Sequence, residues 1–343
     1  MIRTTSVGSW PPPFGQRPAL RPFWHGEVTE DDPGVAAALS AAARIAMDEM
    51  LACGLDQITG GEVFAPDFVH TVPPRLDGVE AEVKRDIAKG QAGVARYRIS
   101  GPVSAPRGTG HARGFRREHA IEPHLDKAAL PSAFTIGLSF PGDAALERHM
   151  DEFIAIVAAE IREMASAGAT EIQIDAPSEA VACAHQTRSV AQLADWLCRP
   201  FEQIDDVHTD DPGNPSPVVR TVHFCLGDIA RKPSTEVQNL RSLIPLLQAC
   251  EGHIDRAHLE CSYAGQWADR GMLGEVPDSI EIIAGIADVK SPPASVGHYT
   301  GLIEALLHVV PENRLLVSSS CGCGRVPHDE AITMMRNLVK SAR

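Results

Sequence analysis

The sequence predicts an α/β protein, and more narrowly a single-domain (β/α)8 barrel, or TIM barrel, over residues 1–343. Short apolar stretches alternate with helical ones along most of the chain, and eight of these stretches have the length and composition of strands. Strands that alternate with helices pair in parallel, and eight of them close into a barrel. A third observation is that polar residues follow the last apolar residue of most of these strands, where barrel enzymes carry their active sites.

The predicted strands are regular in the second half of the chain and less so in the first. They are residues 2–7, 55–59, 134–139, 171–175, 218–224, 256–260, 285–289 and 314–319. The first strand ends at a Gly-Ser turn, and the prolines that follow cannot continue it. A ninth extended segment, 95–103, has no place in the barrel, so the chain is expected to carry an inserted loop or hairpin near 95–132.

The helices are predicted from apolar residues that recur with helical spacing. They are residues 35–53, 77–93, 144–167, 189–206, 235–250, 278–284, 297–309 and 327–342. The first is rich in alanine and ends at Gly54, which suits a helix C-terminus. Residues 14–34 and 104–117 are predicted to be loops. The second loop holds several arginines, from Arg107 to Arg117, that either face solvent or contact an anionic donor.

Composition excludes several classes of function. The chain has 45 acidic against 31 basic residues and a net charge of −14, which disfavours binding to nucleic acid or to an anionic membrane. The sequence shows no secretory signal and no apolar run long enough to cross a bilayer, so a cytoplasmic protein that acts on small molecules is expected. The eight cysteines are scattered and predict reduced thiols, a few of which are candidate metal ligands.

Two of the polar residues at the strand ends lie two positions apart, His223 and Cys225, and therefore point to the same side of a strand. They could be an ordinary buried cysteine beside a hydrogen-bonded histidine. Glu260 favours a metal site over that interpretation, because a carboxylate that faces the inside of a sheet needs a partner, and a metal ion would be one. Together with either Cys321 or Cys323, these residues make a mixed nitrogen, oxygen and sulfur set that selects zinc.

Several motifs resemble the cobalamin-independent methionine synthase family, in particular its catalytic C-terminal barrel and shorter single-barrel relatives. The resemblance is close from about residue 165 onward and consists of short motifs before that. The motifs are Val7-Gly8-Ser9, Gly60-Gly61-Glu62, Ile174-Asp175-Ala176-Pro177, His223-Phe224-Cys225, Glu260, Asp288-Val289-Lys290-Ser291-Pro292 and Ser320-Cys321-Gly322.

The resemblance implies an enzyme that transfers a methyl group to homocysteine and forms methionine, with methylfolate or a methylated corrinoid protein as donor. It implies Zn²⁺ held by a set of four residues and a thiol substrate that becomes a thiolate on the metal. The implied zinc ligands are His223, Cys225, Glu260 and Cys321. It also implies that Ser9, Glu62 and Asp175 hold the amino-acid end of the thiol, with Asp175 and Glu62 as candidate catalytic residues.

Two departures from the family pattern keep alternatives open. The stretch Thr135–Phe140 lacks the tryptophan on which folate lies in the family, which weakens the prediction of methylfolate. Lys290 stands where the family has a histidine thought to relay a proton, so Lys290 is either catalytic or a structural ion-pair partner. The alternatives are alkylation of another thiol, such as coenzyme M by an epoxide, a barrel with a purely structural metal, and a metal-free decarboxylase.

Overall fold

The computed structural model describes residues 1–12, 15, 17–24, 28–65, 69, 71–82, 96–203, 217–227, 231–237 and 239–343. Its strands, numbered along the chain, are β1 Arg3–Thr4, β2 Asp77–Glu82, β3 Arg96–Ser104, β4 Lys127–Pro131, β5 Glu171–Asp175, β6 Val219–Phe224, β7 Arg256–Glu260, β8 Glu281–Ala287 and β9 Leu315–Ser319. Its helices are α1 Arg17–Trp24, α2 Pro33–Cys53, α3 His111–Ile121, α4 Ala133–Gly137, α5 Asp143–Arg148, α6 Met150–Ser166, α7 Pro177–His185, α8 Val190–Glu202, α9 Ile244–Ala249, α10 Ala264–Ala268, α11 Val296–Leu307 and α12 His328–Ala342. Short 3-10 turns lie at Pro73–Arg75, Arg270–Glu275 and Glu312–Arg314.

Seven of these strands form one parallel sheet in the order β1-β9-β8-β7-β6-β5-β4. The first and last strands of the chain are neighbours, since Arg3 pairs with Leu316. A single parallel bridge between Thr5 and Gln57 adds the predicted strand 55–59 beside β1. The sheet therefore has the parallel α/β arrangement that the sequence predicts, with its eighth strand reduced to one bridge.

A cluster of ion pairs crosses the inside of the sheet. Each of its members, Arg3, Lys127, Glu171, Arg256 and Glu281, is the first residue of its strand. Glu171 accepts from Arg256 and lies 3.5 Å from the Lys127 ammonium, and Arg256 also contacts Glu281 at 2.6 Å. Arg3 pairs with Glu281 as well. These charges fill the amino-terminal end of the sheet, which leaves the carboxyl ends of the strands for other chemistry.

The helix α2 illustrates how the outer layer is fixed. Asp32 caps its first turn by accepting hydrogen bonds from the main-chain nitrogens of Gly34 and Val35 at 3.0 and 3.2 Å. Gly54 ends the helix with a φ of 87°, a left-handed conformation that glycine adopts without strain. The alanine-rich face of α2 is buried, as the sequence predicts.

The third strand of the barrel is not where the sequence predicts it. Residues 134–139 were expected to form it, but Ala133–Gly137 is the helix α4, and the strand is β4, Lys127–Pro131. Ser132 ends the strand and caps the helix, because its hydroxyl accepts from the main-chain nitrogen of Thr135 at 3.0 Å. The charged Lys127 masks the strand in the sequence, although its side chain is fully buried inside the sheet.

The predicted helix 77–93 is also wrong where it can be compared. Asp77–Glu82 is the strand β2, which pairs antiparallel with β3, and residues 83–93 lie outside the described residues. The extended segment predicted at 95–103 corresponds to β3. This pair is a two-stranded sheet separate from the barrel.

Other boundaries shift. The predicted helix 278–284 is wrong, since β8 runs through Glu281–Ala287, and the expected loop 104–117 contains the start of α3. The expected loop 14–34 contains α1, with residues 14, 16 and 25–27 outside the described residues. By contrast, the predicted strands 171–175 and 256–260 have the observed bounds. All eight cysteines are free thiols, and no helix among the described residues is both long and apolar enough to span a bilayer.

Candidate metal centre

Three neighbouring strands carry polar residues side by side at their carboxyl ends. In the parallel register Asp175 of β5 is opposite His223 of β6, and His223 is opposite His258 of β7. All three side chains are buried. The alternation of residues in a strand places Glu260 on the same face as His258, one step closer to the end of β7.

His223, Cys225 and Cys321 form a compact group of possible metal ligands. One ligand atom from each lies within 4.8 Å of the other two. The sulfurs of Cys225 and Cys321 are 3.6 Å apart. Cys225 comes directly after β6, and Cys321 lies on the turn that follows β9, so two distant parts of the chain supply the two thiols.

The ring of His223 is oriented for metal binding. Its Nδ1 donates to the main-chain oxygen of His258 at 3.3 Å, which leaves the lone pair on Nε2. Nε2 is buried and has no hydrogen-bond partner among the described residues. A buried nitrogen without a partner is costly, and a cation held with the two thiols would satisfy it. The donor set is the imidazole and thiolate combination that zinc prefers.

The pKa values of the two thiols are shifted in opposite directions. The hydrogen bond between the sulfurs holds the pKa of Cys321 well below its usual range, and His223 adds to this effect. The same hydrogen bond, together with burial, raises the pKa of Cys225 well above its usual range. Burial opposes a charge on His223, but Cys321 and Asp175 raise its pKa. Of the two thiols, Cys321 is thus the one that ionises more readily.

Glu260, the fourth predicted ligand, contacts Lys290 and the main chain and is not part of this group. Its Oε1 lies 2.6 Å from the Lys290 ammonium, and its Oε2 accepts from the main-chain nitrogen of Leu226 at 2.8 Å. The structure therefore brings three of the four predicted ligands together and joins the fourth to Lys290. Burial raises the pKa of Glu260, while Lys290 acts in the opposite direction.

The two cysteines of the final turn have different surroundings. Cys321 is partly exposed and belongs to the ligand group, whereas Cys323 is buried in the apolar core. Ser9 fixes the same turn, since its main-chain oxygen accepts from the nitrogen of Cys323 at 2.8 Å. A side chain at Gly322 would begin 2.2 Å from the Ser9 hydroxyl, so the turn needs glycine there. The structure thus places Ser9 against the turn that carries Cys321.

Asp175 is held in place by a residue that sequence reasoning missed. The side-chain nitrogen of Gln173 donates to Asp175 Oδ1 at 2.7 Å and to the main-chain oxygen of Val7 at 2.9 Å. Burial raises the pKa of Asp175 to about 6, although His223 pulls it down. The alternation of Glu171, Gln173 and Asp175 along β5 is the signal that could have identified Gln173.

Glu62 and Glu118 occupy spaces that two glycines leave open. A side chain at Gly8 would begin 1.9 Å from Glu62 Oε1, and one at Gly60 would begin 2.0 Å from the Glu118 carboxyl group. Both glutamates line one small cavity with Gly60. Burial and the Asp175 carboxylate raise the pKa of Glu62 well above its usual range. Sequence reasoning missed Glu118, because it falls in the segment near 95–132 that is predicted to be an inserted loop or hairpin.

Glu118 gives a prediction about stability. Its side chain makes no hydrogen bond or ion pair with any described residue, and burial raises its pKa from 4.5 to about 7. The unfolded chain loses this proton first as the pH rises, so the folded protein loses stability between about pH 4.5 and 7. Above that range the loss is complete, on the order of 3 kcal/mol.

Replacing Glu118 with glutamine should therefore stabilise the protein at pH 8 by up to about 3 kcal/mol and much less at pH 5. Urea unfolding at the two pH values measures the difference. The exposed Glu163 is the control, and Glu163→Gln should change stability by less than about 0.5 kcal/mol. An equal effect of Glu118→Gln at both pH values would contradict the assignment.

Comparison with known proteins identifies the family to which this chain belongs. A model of the family described as cobalamin-independent synthase, catalytic domain, matches residues 2–206, more than half of the 343-residue chain. Ser9, Glu62 and Asp175 lie within the matched range. His223, Cys225, Glu260, Lys290 and Cys321 lie beyond it.

Curated relatives match over the whole chain. The 5-methyltetrahydropteroyltriglutamate–homocysteine methyltransferase of Acidithiobacillus ferrooxidans is 24% identical over 99% of this chain and 41% of its own length. The protein of the same name from Thermotoga maritima is 22% identical over 100% of this chain and 44% of its own length. The chain spans about two fifths of the length of these curated relatives.

Solved structures share the fold. A B12-independent methionine synthase from Shewanella sp. W3-18-1, in complex with selenomethionine, has a TM-score of 0.75 at 19% identity, covering 100% of this chain and 97% of that chain. A putative vitamin-B12-independent methionine synthase from Listeria monocytogenes gives 0.69 at 19% identity, covering 100% and 98%. The likeness confirms the predicted barrel-type α/β fold.

Proposed function

The chain belongs to the family of the cobalamin-independent synthase catalytic domain, and from this premise we propose that it transfers a methyl group to the sulfur of homocysteine and forms methionine. The observation that carries the proposal is the group of His223, Cys225 and Cys321 at the carboxyl ends of the barrel strands. We also propose that residues 1–343 act as one catalytic barrel. The pairing of the first strand with the last, Arg3 with Leu316, supports this.

The residues present fit a zinc ion. His223 would bind it through Nε2, the buried nitrogen without a partner, and the two thiols would complete three of its positions. Glu260 is the fourth residue of the predicted set. Zinc, when bound, supplies a Lewis acid that lowers the pKa of a coordinated thiol, so that the sulfur is a nucleophile at neutral pH.

The chain's own carboxylates account for recognition of the amino-acid end of the substrate. We propose that Asp175 and Glu62 bind the ammonium group of homocysteine, and that Ser9 binds its carboxylate end. Asp175 is buried and held by Gln173, and the Asp175 carboxylate is close enough to Glu62 to raise the pKa of Glu62. A bound ammonium would keep both carboxylates ionised, because it supplies the positive charge that they lack.

The methyl donor is the less defined substrate. The curated relatives bear a name that includes 5-methyltetrahydropteroyltriglutamate, a methylated folate. Their names do not include a corrinoid. The stretch 135–140, which matches the segment that carries a tryptophan in the family and has none here, lies in α4 and its following turn. Phe134 and Ile136 of that helix are buried. We propose a methylated folate as the donor, held without stacking on a tryptophan at this position.

The test is methionine formation. Zinc-loaded protein should convert homocysteine to methionine when it is given 5-methyltetrahydrofolate with a triglutamate tail, and mass spectrometry measures the product. Methylcobalamin serves as a second donor. If the protein forms methionine only with methylcobalamin, homocysteine is still the thiol substrate, but the assignment of a folate as methyl donor is wrong.

The alternative thiol is tested in parallel. Coenzyme M lacks the α-ammonium group that Asp175 and Glu62 are proposed to bind, so it should be a poor substrate. If coenzyme M is alkylated by an epoxide while homocysteine gives no product, the methionine assignment is wrong. A protein purified without added metal that contains no zinc would support a metal-free reaction instead.

A further inference from the structure

The ion pair between Lys290 and Glu260 is buried beside the ligand group. The two side chains are 1% and 0% exposed, and the ammonium lies 2.6 Å from Oε1 of the carboxylate. The other carboxylate oxygen is held by the main-chain nitrogen of Leu226 at 2.8 Å. Both oxygens of Glu260 thus have partners that do not include a metal ligand.

Lys290 is itself fixed in this position. Its main-chain nitrogen donates to Asp288 Oδ1 at 2.9 Å, and its ammonium lies 5.7 Å from the centre of the Tyr263 ring. A charged lysine without Glu260 would be strongly unfavourable in this place, so each member of the pair retains the other.

We propose that Lys290 is a positioning residue that holds Glu260 away from the metal, so that His223, Cys225 and Cys321 are the resident ligands and the fourth position is open to the substrate thiol. The inference rests on the proposed function for the presence of the metal. It differs from the ligand set implied by sequence resemblance, in which Glu260 binds zinc. The compact ligand group supports it, because that group contains the three residues and not Glu260.

Charge gives a reason for this arrangement. A divalent cation with two thiolates and a neutral histidine has no net charge, and the paired Lys290 and Glu260 also sum to zero. An incoming thiolate then meets a neutral site. With Glu260 as a ligand and no lysine, the site would carry a negative charge and the thiolate would have to displace a carboxylate. Lys290 is thus expected to favour thiol binding at the expense of metal affinity.

The test uses protein loaded with cobalt(II), whose visible spectrum reports the number and type of ligands. Lys290→Met frees Glu260 to bind the metal, so the spectrum should change, the cobalt dissociation constant should fall by about tenfold or more, and the KM for homocysteine should rise by a similar factor. Lys290→Arg retains the positive charge and should keep the wild-type spectrum. In the double variant Glu260→Gln/Lys290→Met, the cobalt dissociation constant and the KM for homocysteine should both return towards the wild-type values.

The double variant also decides the case if Lys290→Met does not fold, because it removes both buried charges together. Loss of cobalt from the double variant, with Lys290→Met showing the wild-type spectrum, would mean that Glu260 is already a ligand and would overturn the inference. That result leaves the proposed function intact. A wild-type protein that holds no cobalt at all would overturn the proposed function and this inference together.

Discussion

Replacing Cys321 with serine is expected to remove the metal and to lower the rate of methionine formation by more than about a hundredfold, while the fold is retained. The sulfur of Cys321 lies 3.6 Å from that of Cys225, and its lowered pKa makes it the thiol of the pair that ionises more readily. A serine hydroxyl is a poor ligand for zinc at neutral pH. Because Cys321 is partly exposed on a turn, its loss should cost little packing energy.

The control is the neighbouring cysteine of the same turn. Cys323 is buried in the core, so Cys323→Ser should keep one zinc per chain and lower the midpoint of thermal unfolding instead. Zinc content by atomic emission and circular dichroism on both variants separate the two effects. A Cys321→Ser protein with full zinc, next to a Cys323→Ser protein without it, would show that the ligand is misassigned. Unfolding of Cys321→Ser would point to a structural metal.

Asp175→Asn should lower kcat/KM for homocysteine by about 10² to 10³, mainly through a higher KM. Asparagine keeps the shape of the side chain and can still accept the hydrogen bond from Gln173, but it lacks the negative charge that the substrate ammonium requires. The defect should vanish with 4-mercaptobutanoate, a thiol that has no ammonium group. This thiol should be a weak substrate for both proteins, with similar kcat/KM values.

A matched control comes from a second buried carboxylate of the same region. Glu179 lies on α7, where its carboxylate accepts from the Thr135 hydroxyl at 3.4 Å. Glu179→Gln replaces a buried carboxyl group without touching the proposed substrate site, so the KM for homocysteine should stay within about twofold of the wild type. If Asp175→Asn and Glu179→Gln change the KM equally, Asp175 has no specific role in binding the ammonium group.

The sequence is sufficient to predict those parts of the site that depend on strand alternation and parallel pairing. Asp175 and His223 lie on strands whose apolar pattern is clear. Because the carboxyl ends of parallel strands meet at the same end of the barrel, the two residues are predicted to lie close together, as they do. Cys321 follows from the same rule, because it lies on the turn after the last strand. These residues are positioned by the regular fold, and local sequence is enough to find the fold.

Other features depend on contacts between distant side chains, which local sequence does not encode. Lys127 looks like a surface residue, yet its side chain is buried inside the barrel, 3.5 Å from the Glu171 carboxylate, and it begins the strand β4. In the same way, the pairing of Glu260 with Lys290 depends on where two different strands end. The carboxyl group of Glu118 approaches Gly60 from the helix α3. The arginines and glycines of that segment make the helix hard to predict from the sequence.

The most direct test of the metal-centre assignment is to titrate cobalt-loaded protein with homocysteine and to follow the sulfur-to-cobalt absorption. The wild type should bind one cobalt per chain, and homocysteine should add a sulfur-to-cobalt band with release of about one proton per thiol bound. Cys321→Ser should show neither. A cobalt spectrum that homocysteine leaves unchanged, while coenzyme M alters it, would contradict the assignment of homocysteine as the thiol substrate, and a wild type that retains no cobalt would contradict the metal centre itself.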